Sequence, residues 1–199
     1  HLRMEGKYLF RAPEDEVGRH EHVAFLLDDG RELRYHDTRK FGRMHLLKKE
    51  ELNLRRPLNE LGLEPWDEKL TVTYLKEQFQ NKKIPIKTAL LDQSIIVGIG
   101  NIYDDEVLFM SHIRRLTPAN SLTKRELQAI IDNTRIVLEK AIHAGGTTIR
   151  SYESSEGVHG LFQHELFVHG KETCPICGHD IVKIKVGGRG TYYCPKCQK

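Results

Sequence analysis

All four cysteines of the chain lie in its last 26 residues, as Cys174-Pro-Ile-Cys177 and Cys194-Pro-Lys-Cys197 with sixteen residues between the pairs. Two CxxC turns at that separation aim four thiolates at one point, the pattern of a tetrahedral four-cysteine zinc site. The residues between them read as a hairpin. Val182, Ile184 and Val186 alternate with Lys183 and Lys185, Gly187-Gly188-Arg189-Gly190 makes the turn, and Thr191-Tyr192-Tyr193 returns. A unit of roughly 35 residues buries too little to fold alone, so the metal supplies the missing stability. Four thiolates leave no open coordination position, which makes the expected zinc structural. The alternatives for the same cysteines are two disulfides or a redox CxxC, and the absence of a visible secretion signal weighs against them.

The surrounding composition is that of an ordinary globular chain. Apolar residues make up 39% and charged residues 30% of the 199, too apolar for a disordered chain. The longest uncharged run, Gln93 to Tyr103, is far short of a membrane span, and no signal peptide is visible. The net charge of +3 says little, but residues 170–199 carry six basic and two acidic groups while the remainder is nearly balanced. The basic end favours an anionic partner. The chain opens on His1 inside a strand-like run, so a preceding segment is expected outside these residues.

Residues 1–47 read as antiparallel strands: one ending at Tyr8-Leu9-Phe10, one over Val23 to Leu27, one over Glu32 to His36, and a fourth at Met44 to Leu47. A charged loop, Pro13 to His20, and the turn Asp28-Asp29-Gly30 separate them, and the Pro-containing stretch 48–70 is a connection. The pattern then turns helical. Val72, Leu75 and Phe79 share a helical face, and Thr88 to Gln93 is a short helix. Asn101 stands as the N-cap of the next helix, with Asp104, Asp105 and Glu106 suited to its positive end. Thr123 with Glu126 opens a long amphipathic helix with Leu127, Ile130, Ile131, Val137, Leu138 and Ala141 inward, stopped by Gly145-Gly146. Residues 147–163 are a polar, glycine-containing loop.

Two features point to phosphate. In Lys87 to Phe109, Gly98 and Gly100 leave room for close approach, and the amides opening the following helix attract an anion. Lys82, Lys83 and Lys87 lie just upstream. Arg189, on the glycine-rich hairpin tip with Lys183 and Lys185 behind it, can grip phosphate with two donors. A plain αα-hairpin and a solvated turn arginine explain the same residues equally well.

The combination carries a resemblance. Leu90-Leu-Asp-Gln93, Gly98-Ile-Gly-Asn101-Ile-Tyr103, Gly145-Gly-Thr-Thr-Ile-Arg-Ser-Tyr152, Gly187-Gly-Arg-Gly-Thr191 and Cys194-Pro-Lys-Cys-Gln198 together resemble the bacterial formamidopyrimidine-DNA glycosylase family. His1-Leu-Arg-Met-Glu-Gly-Lys7 and Asp37-Thr-Arg-Lys-Phe-Gly42 also look like it, so the resemblance spans the chain. It implies an α+β fold: a partial antiparallel β-sandwich lobe over 1–60, a helical lobe with a helix–two-turn–helix over 61–165, and a C-terminal β-hairpin zinc finger over 166–199. It implies base-excision repair: a glycosylase removing 8-oxoguanine and formamidopyrimidines, with abasic-site lyase activity, one structural Zn2+, and damaged double-stranded DNA bound between the lobes. A monomeric, cytoplasmic, nucleoid-associated protein without a membrane partner follows from the same resemblance.

Residue by residue, the resemblance makes Met4, Arg39 and Phe41 the side chains that fill the gap left by a flipped nucleotide. The chemistry agrees, since apolar wedges replace stacking and an arginine can hydrogen-bond the orphaned base. It assigns phosphate contacts to His20, Arg39, Lys82, Lys87, Asn101 and Arg189, and a base pocket to Glu5 and to Ile149, Arg150, Ser151 and Tyr152 within a capping loop 147–162. Core packing is the alternative for Met4 and Phe41.

One departure bears on catalysis. The family's nucleophile is an N-terminal proline amine, followed by a glutamate and helped by a lysine later in the first lobe, and the chain has no Pro-Glu start. Arg189 is the one family catalytic residue present. The resemblance gives it the second elimination step, although a guanidinium with a pKa above about 12 is better suited to holding phosphate. The readings beside this one are a non-catalytic damaged-DNA-binding fragment and an endonuclease VIII-type glycosylase for oxidised pyrimidines. A zinc-ribbon transcription or ribosomal factor explains the cysteines alone.

Overall fold

The computed structural model describes residues 1–147 and 160–199, which form two compact units: residues 1–48 with 141–165, and residues 49–140 with 166–199. The hairpin with its cysteines therefore belongs to the same unit as most of the helices, although the sequence separates them as segments.

The first unit is built on a three-stranded antiparallel sheet. Strands β1 (Lys7–Arg11), β2 (Glu21–Leu26) and β3 (Glu32–His36) lie in the order β1-β3-β2, with a register irregularity between Glu21 and Val23. Leu9 and Tyr35 are buried, while Val23, Phe25 and Leu26 on β2 are exposed. Met44 to Leu47 forms no strand. The charged loop before β2 is held from within. Arg34 is buried, and its guanidinium donates to the carbonyls of Ala12, Asp15 and Glu16 and to the carboxylates of Glu21 and Glu32. Three backbone acceptors and two carboxylates satisfy a cation that burial would otherwise make costly. At the other end of this unit, Gly145 and Gly146 take φ of 70° and 92° and donate to the carbonyls of Ile142 and Ala141. That is the paired C-terminal cap expected of the double glycine.

The second unit is helical, with α1 (Val72–Phe79), α2 (Ile86–Leu90), α3 (Asn101–Met110) and most of α4 (Lys124–His143), followed by the hairpin β4 (Val182–Val186) and β5 (Arg189–Tyr193). Thr71 caps α1 by accepting from the Tyr74 amide. Leu75 and Phe79 are fully buried, each worth about 2–3 kcal/mol of apolar transfer. The short helix α2 begins two residues earlier than its polar pattern indicates, because Pro85 ends the extended segment before it and Ile86 opens the turn. The Thr123–Glu126 capping box forms in both directions. Leu127, Ile130, Ile131, Val137, Leu138 and Ala141 of α4 are all buried.

Helix α3 departs from the sequence reading. Gly100 is its N-cap, and Asn101 is its first helical residue. Asp104, Asp105 and Glu106 do not sit in solvent at the positive end of the helix; all three are buried. Glu106 accepts from three successive amides, Phe167 at 2.6 Å, Val168 at 3.1 Å and His169 at 2.8 Å. It thereby satisfies a chain segment that has no secondary structure of its own. Around this point Phe109 stacks on Phe167, and Val168 packs with Cys174 and Cys194. Replacing Glu106 with Ala leaves one buried and two partly buried amides without an acceptor. Urea unfolding of the zinc-loaded protein is expected to show a loss of about 3–5 kcal/mol.

Candidate nucleic-acid interface and zinc centre

The cysteine cluster forms where two tight turns face each other. The Cys174 amide donates to the His179 carbonyl, Gly178 takes φ of 71° to close that turn, and the Cys197 amide points at the Cys194 sulfur, 3.4 Å away. The four Sγ atoms lie within 4.8 Å of one another, with Cys174–Cys197 at 3.8 Å and Cys177–Cys194 at 3.4 Å. Zn–S bonds of about 2.3 Å in a tetrahedron place sulfurs about 3.8 Å apart, so the cluster fits one zinc ion closely. A hydrogen bond from the His179 backbone lowers the pKa of the Cys177 thiol, whereas burial raises those of Cys194 and Cys197, so deprotonation of the full set is coupled to metal binding. The four cysteines thus form a structural zinc centre with no open position.

Gln198, beside the last ligand, fastens this centre to the helices. Its carbonyl accepts from the Cys194 amide at 3.0 Å and its amide donates to the Ile113 carbonyl at 3.0 Å. His112 meets the Cys197 carbonyl at 3.1 Å. The hairpin turn is tighter than the four-residue turn read from the sequence. Gly187 and Gly188 alone make it, at φ of 54° and 80°, and Arg189 pairs with Val186 as the first residue of β5. Two positive φ values are what a two-residue hairpin turn with the natural strand twist demands. Gly187 also lies against α2, where a Cβ would come within 2.8 Å of Thr88 Oγ1. Strand alternation puts Lys183 and Lys185 on the face opposite Val186 and Arg189, and Lys183 rests over the Tyr192 ring at 5.0 Å.

The hairpin tip meets the first turn of α3. The Asn101 side-chain amide donates to the Gly190 carbonyl at 2.9 Å, and Asn101 Oδ1 is buried without a partner among the described residues. Arg189 is exposed next to this junction, and the amides opening α3 lie at the same end of the helix. A bidentate cation and a helix N-terminus together favour a phosphate, while the Asn101 amide, already donating to Gly190, ties the two elements together.

Lys87 does not join them. It is fully buried, and its ammonium donates to Asp105 at 2.7 Å and to the Asn101 carbonyl at 2.9 Å, with Asp104 at 3.5 Å. The expectation of a direct phosphate contact is corrected here: two carboxylates turn the lysine inward, where its desolvation is compensated. Burial pushes the Asp104 carboxyl well above the usual range, against the pull of Lys87. Lys82 is partly exposed and pairs with Asp92 at 3.2 Å.

In the first unit, the predicted wedge residues are exposed and not part of a core. Met4 is 66% and Phe41 51% exposed, and the Arg39 guanidinium lies 4.7 Å over the Phe41 ring. The residue that shapes this loop is Asp37, which sequence reading passed over although it opens the Asp37-Thr-Arg-Lys-Phe-Gly42 motif. It is buried and accepts from Tyr35 Oη at 2.8 Å, the Arg39 amide at 3.0 Å and the Gly42 amide at 2.9 Å. Lys40 between them takes φ of 55°. Thr38 donates to Glu5, and His20 packs edge-on to His36 at 5.8 Å. Burial lowers the pKa of His36, whose Nδ1 has no partner among the described residues. Ile149, Arg150, Ser151 and Tyr152 lie outside the described residues.

Burial raises the pKa of Asp37, but the hydrogen bonds from Gly42, Tyr35, Arg39 and Lys40 prevail and bring it down to about 2. A carboxylate depressed in the folded state stabilises above its unfolded value near 3.9, and that contribution is lost as pH falls through about 2. Asp37→Asn is therefore expected to cost about 1–3 kcal/mol at pH 7. The gap from the parent should narrow between about pH 4 and pH 2, read as urea midpoints with amide protection in residues 1–48. For the metal, a strong chelator is expected to release one zinc and melt residues 166–199, seen as lost amide protection there.

Three families match in succession: "Formamidopyrimidine-DNA glycosylase N-terminal domain" over residues 1–44, "Formamidopyrimidine-DNA glycosylase H2TH domain" over 61–153, and "Zinc finger found in FPG and IleRS" over 171–199. The formamidopyrimidine-DNA glycosylase of Oceanobacillus iheyensis is 49% identical over all of this chain and 71% of its own length. That of Bacillus subtilis is 48% identical over all of this chain and 72% of its length. Among solved structures, a Lactococcus lactis Fpg variant in complex with a Fapy-dG containing DNA superposes with a TM-score of 0.92 at 37% identity, covering all of this chain and 73% of the other. The same protein with an abasic site containing DNA gives 0.91 at 38%, with the same coverage. With a zinc-ready finger locked to a helix–two-turn–helix, and with relatives near half identical along its whole length, the chain belongs to the formamidopyrimidine-DNA glycosylase family of base-excision repair enzymes.

Proposed function

We propose that these residues recognise oxidised purines, 8-oxoguanine and formamidopyrimidines, in double-stranded DNA for glycosylase removal and abasic-site strand cleavage. The protein acts as a monomer in the bacterial cytoplasm, at the nucleoid. The observation that carries the reading is the exposure of Phe41, on a loop stiffened by Asp37, and of Met4, in the turn before β1. Large apolar side chains exposed to water suit insertion between base steps, and the unstacking they compensate costs a few kcal/mol. Arg39, already over Phe41, brings donors for the base left without its partner. Asn101 and Arg189 hold backbone phosphate, with His20 and Lys82 as further contacts, while Lys87 acts from inside. Glu5 borders the pocket for the flipped base. Zinc takes no part in the chemistry; its role is to fold the finger that carries Arg189. The covalent step in this family is attack of an amine on the sugar C1′, with the base leaving and a Schiff base formed.

The test uses a duplex with one 8-oxoguanine opposite cytosine and a fluorescent base analogue beside it. The zinc-loaded chain should bind it at least about tenfold more tightly than the undamaged duplex, with increased emission as the neighbour unstacks. Phe41→Ala and Met4→Ala should reduce both effects, whereas Arg189→Ala should weaken both duplexes alike. Equal affinity for damaged and undamaged DNA overturns the reading. Borohydride added to the same mixture reports on the amine: a trapped adduct identifies a nucleophile within these 199 residues, and binding without one assigns them to recognition.

A further inference from the structure

Asp105 has no place in the recognition scheme so far. Its carboxylate is buried, yet it accepts hydrogen bonds from three separate segments: Lys87 Nζ of α2 at 2.7 Å, His169 Nδ1 at 2.7 Å and the Tyr192 amide of β5 at 3.0 Å. Lys87 passes the connection on to the Asn101 carbonyl at 2.9 Å, and the Asn101 side chain reaches the Gly190 carbonyl at 2.9 Å. Gly190 and Tyr192 are two residues apart on β5, so the chain of contacts closes on itself. It encloses the first turn of α3 and the strand residue that follows Arg189.

We infer that Asp105 is a positioning residue for phosphate binding by Asn101 and Arg189, setting the hairpin tip in register with the start of α3; this rests on the phosphate-binding reading above. A two-stranded hairpin is marginal on its own, and its tip moves unless something fixes the strand. The Tyr192 amide can reach an acceptor on α3 only at one register of β5, and Asp105 supplies that acceptor. Lys87 is needed because a lone buried carboxylate would be too costly to keep charged. Asp104, 3.5 Å from the same ammonium, further draws Lys87 away from solvent. The lysine thereby acts on phosphate through the backbone of Asn101 without touching it.

The experiment measures affinity and its salt dependence for the 8-oxoguanine duplex with parent, Asp105→Asn, Arg189→Ala and the double variant, each checked for one bound zinc and native helix content. Asp105→Asn is expected to keep its zinc and lose about tenfold in affinity, with log K against log salt flattening by about one phosphate. In the Arg189→Ala background the same substitution should do little more, because the residue it positions is already gone. Additive losses overturn the proposal, as do an unchanged salt slope or loss of zinc together with affinity. Should Asp105→Asn misfold, Lys87→Met with Asp105→Leu removes both buried charges at once and keeps an apolar interior. That pair must show the same flattening; a folded pair that binds like the parent overturns the proposal. Failure of the parent itself to bind DNA refutes the phosphate reading instead, which separates the two outcomes.

Discussion

Helix α3 carries three adjacent buried acids, and the helical unit is arranged around two of them, Asp105 and Glu106. Glu106 terminates the amides of residues 167–169, the segment that leads into the zinc finger. Asp105 joins α2, β5 and His169. Carboxylates in an apolar interior must collect donors or lose their charge, so each enforces one arrangement of the segments that supply them. Burial still pushes the Glu106 carboxyl upward, which shows that its three amides offset the cost only in part. Gln198 and His112 add neutral hydrogen bonds to the same joint.

The zinc centre and this carboxylate joint answer different problems. Four thiolates stabilise a hairpin too small to fold alone, but a metal at the base of the hairpin does not orient its tip. Orientation comes from Thr88 against Gly187, Asn101 to Gly190 and Asp105 to Tyr192. A comparable division holds in the first unit, where the sheet provides the frame and Asp37 alone shapes the loop with Arg39 and Phe41. In both units a buried aspartate organises the backbone that presents an exposed arginine.

Much of this was legible in residue order. The CxxC pairs, the Thr123–Glu126 box, the double glycine after α4 and the three strands are local patterns, and local chemistry decides them. The wedge and phosphate residues came from motif resemblance, and exposure of Met4 and Phe41 resolves the choice that composition left open between a core and a surface role. The run Asp104-Asp105-Glu106 misled. Three adjacent acids near a helix start satisfy the dipole rule, and nothing in their spacing says that a lysine 18 residues before Asp105, or an amide 61 residues after Glu106, will meet them in the interior.

Residue order alone was therefore enough to establish the zinc ligands, the main helices, the strands other than the one expected at Met44 to Leu47, and the family. All of these depend on neighbours within a few residues or on short motifs. The side of the protein on which a charge lies was settled only by long-range packing. Lys87 and Arg189 read alike in the sequence as cations near glycine turns. One is surrounded by carboxylates and the other ends in water, because desolvation depends on which segments meet.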